Sequence, residues 1–115
     1  MSASKLSLFV LLTIILASCQ KEKSSVYGNV TYIHSYFKTE YQADHAHIRL
    51  YEDESMTTLV AETDCDNIGN YFLKDVGNGD YYIHADVTLS KYSYAGGQKV
   101  SVASSSNAKY NFVIR

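Results

Sequence analysis

The chain has 115 residues, with 46% hydrophobic and 13% aromatic residues, and 10 Lys and Arg against 12 Asp and Glu for a net charge of −2 at pH 7. This length makes one small domain with a single core, and the mildly acidic balance offers no basic patch of the kind that nucleic-acid binding needs. Proline and Trp are absent while there are 11 tyrosines, so turns must rest on Gly, Asn and Asp, and Tyr supplies strand-forming rings that can sit half-buried with a wet hydroxyl.

Lys5 precedes an apolar run over residues 6–17, broken only by Ser7 and Thr13. The run fits a secretory h-region of about 7–15 residues and is shorter than the roughly 20 that span a bilayer. Ala17-Ser18 offers a small-residue cleavage site. The following "LASC", residues 16–19, resembles the lipobox of bacterial lipoproteins. That resemblance implies a signal peptide over residues 1–18, cleaved before Cys19, which carries a diacylglyceryl thioether as the new N-terminus. The other reading is an ordinary signal peptide in which Cys19 is incidental. A lipoprotein N-terminus holds more than one acyl chain, and at about 0.8 kcal/mol per buried CH₂ this anchors stably without a spanning helix. Gln20 is not the Asp that marks inner-membrane retention in Gram-negative lipoproteins. The resemblance therefore implies the outer membrane, with the periplasmic and surface faces both open.

Residues 19–25 would then be the lipidated cysteine and a polar tether. Six extended residues reach about 20 Å at most, which keeps the domain close to the bilayer. Removing the first 18 of 115 residues leaves 97, with 9 basic and 12 acidic side chains. Cys65 becomes the lone thiol and has no partner for an internal disulfide.

From Val26 onward the apolar period is two, the mark of strands. "VYGNVTY" aligns Val26, Gly28 and Val30. "AHIRLY" places Ala46, Ile48 and Leu50 on one face and His47, Arg49 and Tyr51 on the other. "TTLVAET" is a further β-rich run. "NYFLKDV" aligns Tyr71 with Leu73, and "DYYIHADV" aligns Tyr81, Ile83 and Ala85 against Tyr82 and His84. "KVSVA" and "KYNFVIR" close the chain, the latter aligning Tyr110, Phe112 and Ile114. Turn signals fall at residues 52–55, 64–70 and 77–80 and at Gly96-Gly97. Seven short strands at this spacing predict an all-β, antiparallel β-sandwich over residues 26–115. Residues 33–45 are the least regular and either extend the first strand or form a loop. Tyr71, Tyr81, Ile83 and Phe112 are expected in the core.

The run "VYGNVTY … AHIRLYED … AETD … GNYFLKDVGNGDYYIHADV" resembles the carboxypeptidase regulatory-like domain of the transthyretin-like superfamily. Its marks are an early Val-x-Gly-x-Val, an Ala-x-apolar-x-Leu strand, Thr-Asp before a turn, Gly-x-Tyr-x-apolar and Gly-x-Tyr-x-Ile. The resemblance implies a prealbumin-like sandwich, with Gly28 letting the first strand approach its neighbour and Gly79 turning the chain before Tyr81. The insert over residues 33–44 and the turn "TDCDNIGNY" are longer than the family's, which leaves the fold and withdraws any particular activity. The superfamily's hydroxyisourate hydrolase ends in Tyr-Arg-Gly-Ser, whereas this chain ends in "NFVIR".

Chemistry-bearing constellations are few. His45 and His47 at i, i+2 would share a strand face, with His34 near. Two imidazoles fall short of the three ligands of a catalytic zinc and the four of a structural one. "DCDNIGN" has the Asp and Gly spacing of a calcium loop, but Ile68 occupies a ligand position, so an Asx-rich turn accounts for it better. No Gly-x-Ser-x-Gly elbow is present, and a lone buried cysteine is ordinarily packing. The expectation is a lipid-anchored, non-catalytic binding or structural module with no metal or cofactor and a protein or glycan partner. Its alternatives are a small metal-dependent hydrolase using His45 and His47, or a carbohydrate-binding module in which tyrosines stack on sugars. The candidate binding surface is the outward set His47, Arg49, Tyr51, Tyr82 and His84, rich in residue types suited to recognition. The competing reading is an ordinary solvated strand face.

Overall fold

In a computed structural model, residues 23–103 and 106–115 are described, and they form β-strands and turns with no helix. The signal segment, the lipobox and Cys19 lie outside the described residues. The strands are β1 (Ser24–Ile33), β2 (Glu40–Gln42), β3 (His47–Tyr51), β4 (Leu59–Asp64), β5 (Asn70–Val76), β6 (Gly79–Leu89), β7 (Tyr92–Val102), β8 (Asn107–Lys109) and β9 (Phe112–Ile114). Each of the seven alternating segments of the sequence is present. The ninefold count arises because residues 40–42 add β2 and residues 107–109 add β8 just ahead of β9.

Two sheets pack face to face. One has the order β4-β3-β6-β7, antiparallel throughout. The other is built on β1. Along one edge β1 pairs first with β5 and then with β2, both antiparallel. Along the other it pairs with β8 and then β9, and here the strands are parallel. This is a departure from a wholly antiparallel sandwich. Strands β1 and β8–β9 run the same way because the chain crosses between the sheets before returning beside its first strand, instead of turning back through a hairpin. Backbone bonds between Ala95 and Arg115, 3.1 Å and 3.3 Å, stitch β7 of the first sheet to the end of β9 in the second.

The core lies between the inward faces. Val26 and Val30 of β1, Ile48 and Leu50 of β3, Leu73 of β5, Ile83 and Ala85 of β6, Val100 of β7 and Ile114 of β9 are all buried, as the period-two pattern requires. Burying each large aliphatic side chain contributes about 1.5–3 kcal/mol. Tyr71 is also buried, and its hydroxyl donates to the Tyr110 carbonyl at 2.6 Å. Tyr81 and Phe112 are only half-buried, against expectation. Tyr81 lies at the start of β6, where its hydroxyl reaches out to the Gly77 carbonyl at 2.7 Å, and Phe112 opens the short last strand against the edge of the Tyr71 ring.

Gly28 does what its position in the first strand suggests. A Cβ there would come within 1.9 Å of the Tyr110 carbonyl oxygen. The Asn111 side chain then accepts the Asn29 N–H at 2.8 Å, and β8 gives way to β9 at this point. Gly96-Gly97 is not a turn. Both residues lie inside β7, paired with Ala85 and His84. Their lack of side chains serves close packing: a Cβ on Gly97 would strike the Ile83 carbonyl and the Tyr82 ring, and one on Gly96 would press on Ile114. The real turn is Ser90-Lys91, with Ser90 in the left-handed region at φ 59°.

Candidate functional site

The outer face of the β4-β3-β6-β7 sheet gathers the five candidate residues. Register places Tyr51 opposite Tyr82, Arg49 opposite His84, and His47 opposite Asp86. On the far side of β3, Glu62 stands opposite Arg49 and Asp64 opposite His47. His47 Nδ1 lies 2.6 Å from Asp64 and Nε2 3.2 Å from Glu62. Arg49 donates to Asp86 at 3.0 Å and its Nε lies 3.8 Å from Glu62. The result is a continuous ladder of charge running Asp64, His47, Glu62, Arg49, Asp86. With an acceptor at each ring nitrogen, His47 is held toward its protonated form. Its pKa is raised, chiefly by the hydrogen bond to Asp64 and then by Glu62, against opposing contributions from burial and from Arg49. Tyr82 has a structural part as well, since its ring covers the gap over Gly97.

The carboxylates of this ladder escaped sequence reasoning. "AETD" puts Glu62 and Asp64 on one face by simple alternation, and that was the available signal. His45 is placed differently from expectation. β3 begins at His47, and His45 sits in the preceding turn at φ 56° with its backbone N–H bonded to the Asp66 carbonyl. Its ring turns to the adjacent Asp44 carboxylate. His45 and His47 therefore do not share a strand face, although both border one shallow depression with Asp86 and Thr88. Among the described residues, no three His, Cys, Asp or Glu side chains cluster so as to hold a metal ion. Asp66 acts as a turn former, its side chain accepting the N–H groups of Ile68 at 3.0 Å and Asn70 at 2.9 Å. Cys65 is buried beside it, and burial together with Asp66 and Asp64 pushes the thiol up to about 12. Such a thiol holds its proton and is a poor nucleophile.

A second assembly stands where β1, β2 and β7 meet. The segment "YIHSYFKTEY" carries Tyr32, His34, Tyr36, Phe37 and Tyr41 within ten residues. β1 and β2 form a hairpin that pairs Tyr32 with Tyr41, and their rings stack at 5.7 Å. Tyr94 packs on Tyr32 at 4.7 Å and forms the buried floor. Burial raises the Tyr32 pKa, helped by Tyr94 and Tyr41. His34 is the hub of the tip, with ring centroids 4.8 Å from Phe37 and 5.5 Å from Tyr92. Its Nδ1 accepts the backbone N–H groups of Tyr36 at 3.1 Å and Phe37 at 3.2 Å, which places the ring proton of this arrangement on Nε2. Above the floor, Tyr36 is 77% and Phe37 64% exposed. These residues fall in the stretch that looked least regular. Its density of aromatic residues was the signal of an ordered element.

Fold and surface together define a small β-sandwich with one charge-matched sheet face and one aromatic end. Two solved structures resemble it. One is a Pseudomonas aeruginosa protein to which carbohydrate binding is ascribed, with TM-score 0.60 and 14% identity over 82% of this chain and 90% of that one. The other is the minor pilin of Streptococcus agalactiae, also with TM-score 0.60 and 14% identity over 82% of this chain, which spans 44% of the pilin. At such identity the likeness is one of fold. No protein-family model matches the chain, and no curated protein matches it significantly.

Proposed function

We propose that this protein is a non-catalytic binding module of the cell envelope, held at the outer membrane by lipid on Cys19, and that its working surface is the aromatic end. The carbohydrate binding ascribed to one structural neighbour is consistent with a sandwich used for binding, and the other neighbour, a minor pilin, shows the same fold. The resemblance to carboxypeptidase regulatory-like domains belongs to the same reading. The observation that carries it is the pair of exposed rings, Tyr36 and Phe37, on a stretch of backbone that His34 holds beside an ordered aromatic floor. Large exposed rings held in place are what a recognition surface needs, and they cost solubility in the absence of a partner. The candidate set His47, Arg49, Tyr51, Tyr82 and His84 forms a neighbouring face whose cationic groups already meet Glu62, Asp64 and Asp86.

The experiment is capture from the native envelope with the full-length lipidated protein. The parent is expected in the membrane fraction with a partner attached. Cys19→Ala is expected in the soluble fraction, and Tyr36→Ala with Phe37→Ala is expected to stay at the membrane and lose the partner. Membrane attachment that survives Cys19→Ala would remove the lipid anchor, and capture indifferent to the two rings would move the working surface elsewhere.

A further inference from the structure

We infer that the aromatic end is a saccharide platform that takes a sugar polymer bearing acidic groups; this rests on the reading above that the aromatic end is the binding surface. The rings supply the first argument. Tyr36, Phe37 and Tyr41 are exposed together on one short hairpin. The negative face of an aromatic ring attracts the polarised C–H groups that one face of a pyranose presents. Such stacking recognises a sugar ring without enclosing it, as an open end of a sandwich requires.

The second argument is order. His34 holds the tip through its two backbone acceptor bonds, and Lys38 closes the turn at φ 61° with its N–H bonded to the His34 carbonyl at 2.9 Å. The backbone that carries the rings is set before any ligand arrives, which lowers the ordering cost of binding.

The third argument is charge. Lys38 and Lys91 lie in the two turns that make this end, and among the described residues neither takes part in an ion pair. Lys91 Nζ stands 5.8 Å from the Tyr92 ring centroid. The neighbouring Glu40 carboxylate accepts the Thr31 hydroxyl at 2.9 Å. In a chain of net negative charge, ammonium groups outside any ion pair in the turns of the aromatic end favour a carboxylated sugar over a neutral one. A lipid surface fits less well. β1 starts at Ser24 and its ten residues carry the chain roughly 33 Å before the tip, so a membrane holding the N-terminus lies toward the other end.

The test titrates the full-length protein in detergent micelles with two oligosaccharides of equal length, one of uronic acids and one a neutral glucan, followed by calorimetry. The uronic acid oligomer is expected to bind, with an affinity that falls as salt rises. Tyr36→Ala with Phe37→Ala should weaken it about tenfold or more, the loss associated with a hot-spot ring, and leave the melting temperature in place because both side chains are exposed. Lys38→Ala with Lys91→Ala should weaken the uronic acid oligomer alone. Absence of binding by either sugar, equal binding of both, or binding that ignores the ring substitutions would overturn the inference. Ring-dependent capture of a protein partner without sugar binding would overturn it too, while leaving the aromatic end as the working surface.

Discussion

The sandwich shows two kinds of surface built from similar residues. On the outer face of β3, β4 and β6, His47 and Arg49 alternate with Glu62, Asp64 and Asp86 until each cation meets a carboxylate. At the end formed by β1, β2 and β7, the polar groups instead fix the backbone and leave rings exposed, with His34 accepting two amide N–H groups and Tyr94 accepting one from Ser35 at 3.3 Å. The contrast teaches that residue type alone does not decide what a surface presents to solvent. Histidine and arginine on the ladder are satisfied by carboxylates, whereas histidine and tyrosine at the tip hold neighbouring backbone in a posture open to solvent.

Tyr94→Ala is the most severe way to break the contrast. Its ring is the buried floor of the aromatic end, and truncating a core aromatic costs about 3–5 kcal/mol, a large share of a small domain's stability of roughly 5–15 kcal/mol. Denaturant unfolding should register that loss. A change below about 1 kcal/mol would mean that the tip is not packed on the sandwich.

The ladder should yield less. Arg49→Ala leaves Glu62 and Asp86 facing each other without their cation. For partly exposed pairs the expected cost is about 0.2–1 kcal/mol, shrinking in high salt. A salt-independent loss would point to packing of the Arg49 stem as its main contribution.

A pH comparison sharpens the ladder further. The folded pKa of His47 is raised, led by its bond to Asp64. Its contribution is therefore full below the unfolded value of about 6.5 and disappears as pH rises through the higher folded pKa. The stability gap between the parent and His47→Gln should be wider at about pH 5.5 than at about pH 8.5. Partial exposure keeps the gap modest. Equal gaps at both pH values would show that the bonds to Asp64 and Glu62 do not persist in solution.

Tyr36→Ala is expected to have the smallest effect on stability, within about 0.5 kcal/mol, because its ring is mostly in solvent. The same substitution is expected to matter most for capture of a partner. That inversion between Tyr94 and Tyr36 is the signature of a surface built on a floor.

Much of this architecture was legible in the chain. Alternation placed Val26, Val30, Ile48, Leu50, Ile83 and Ile114 inward because a half-buried strand admits one periodicity, and the same rule put His47, Arg49 and Tyr51 together on the outside. What escaped depends on distant neighbours. Gly96-Gly97 carries local turn chemistry, yet Tyr82 and Ile114 need that space in the middle of a strand, and Ser90 takes the left-handed turn position without glycine. The pairing of His45 with His47 failed because one left-handed residue ends the alternation before the strand begins. The aromatic end was missed as a unit because Tyr92 and Tyr94 come from a strand more than fifty residues downstream of His34.

The position of β1 has a mechanical consequence. It is the first strand of the domain and is bonded along both edges, to β5 and β2 on one side and to β8 and β9 on the other. A pull on the chain ahead of Ser24, directed along the strand and resisted at the tip, loads these ladders in shear, so that many hydrogen bonds must fail together. The same pull on a strand at the rim of a sheet would unzip its bonds one at a time. Forced unfolding is governed by the unfolding rate, and this geometry slows it for a load that enters at the N-terminus and leaves through the aromatic hairpin.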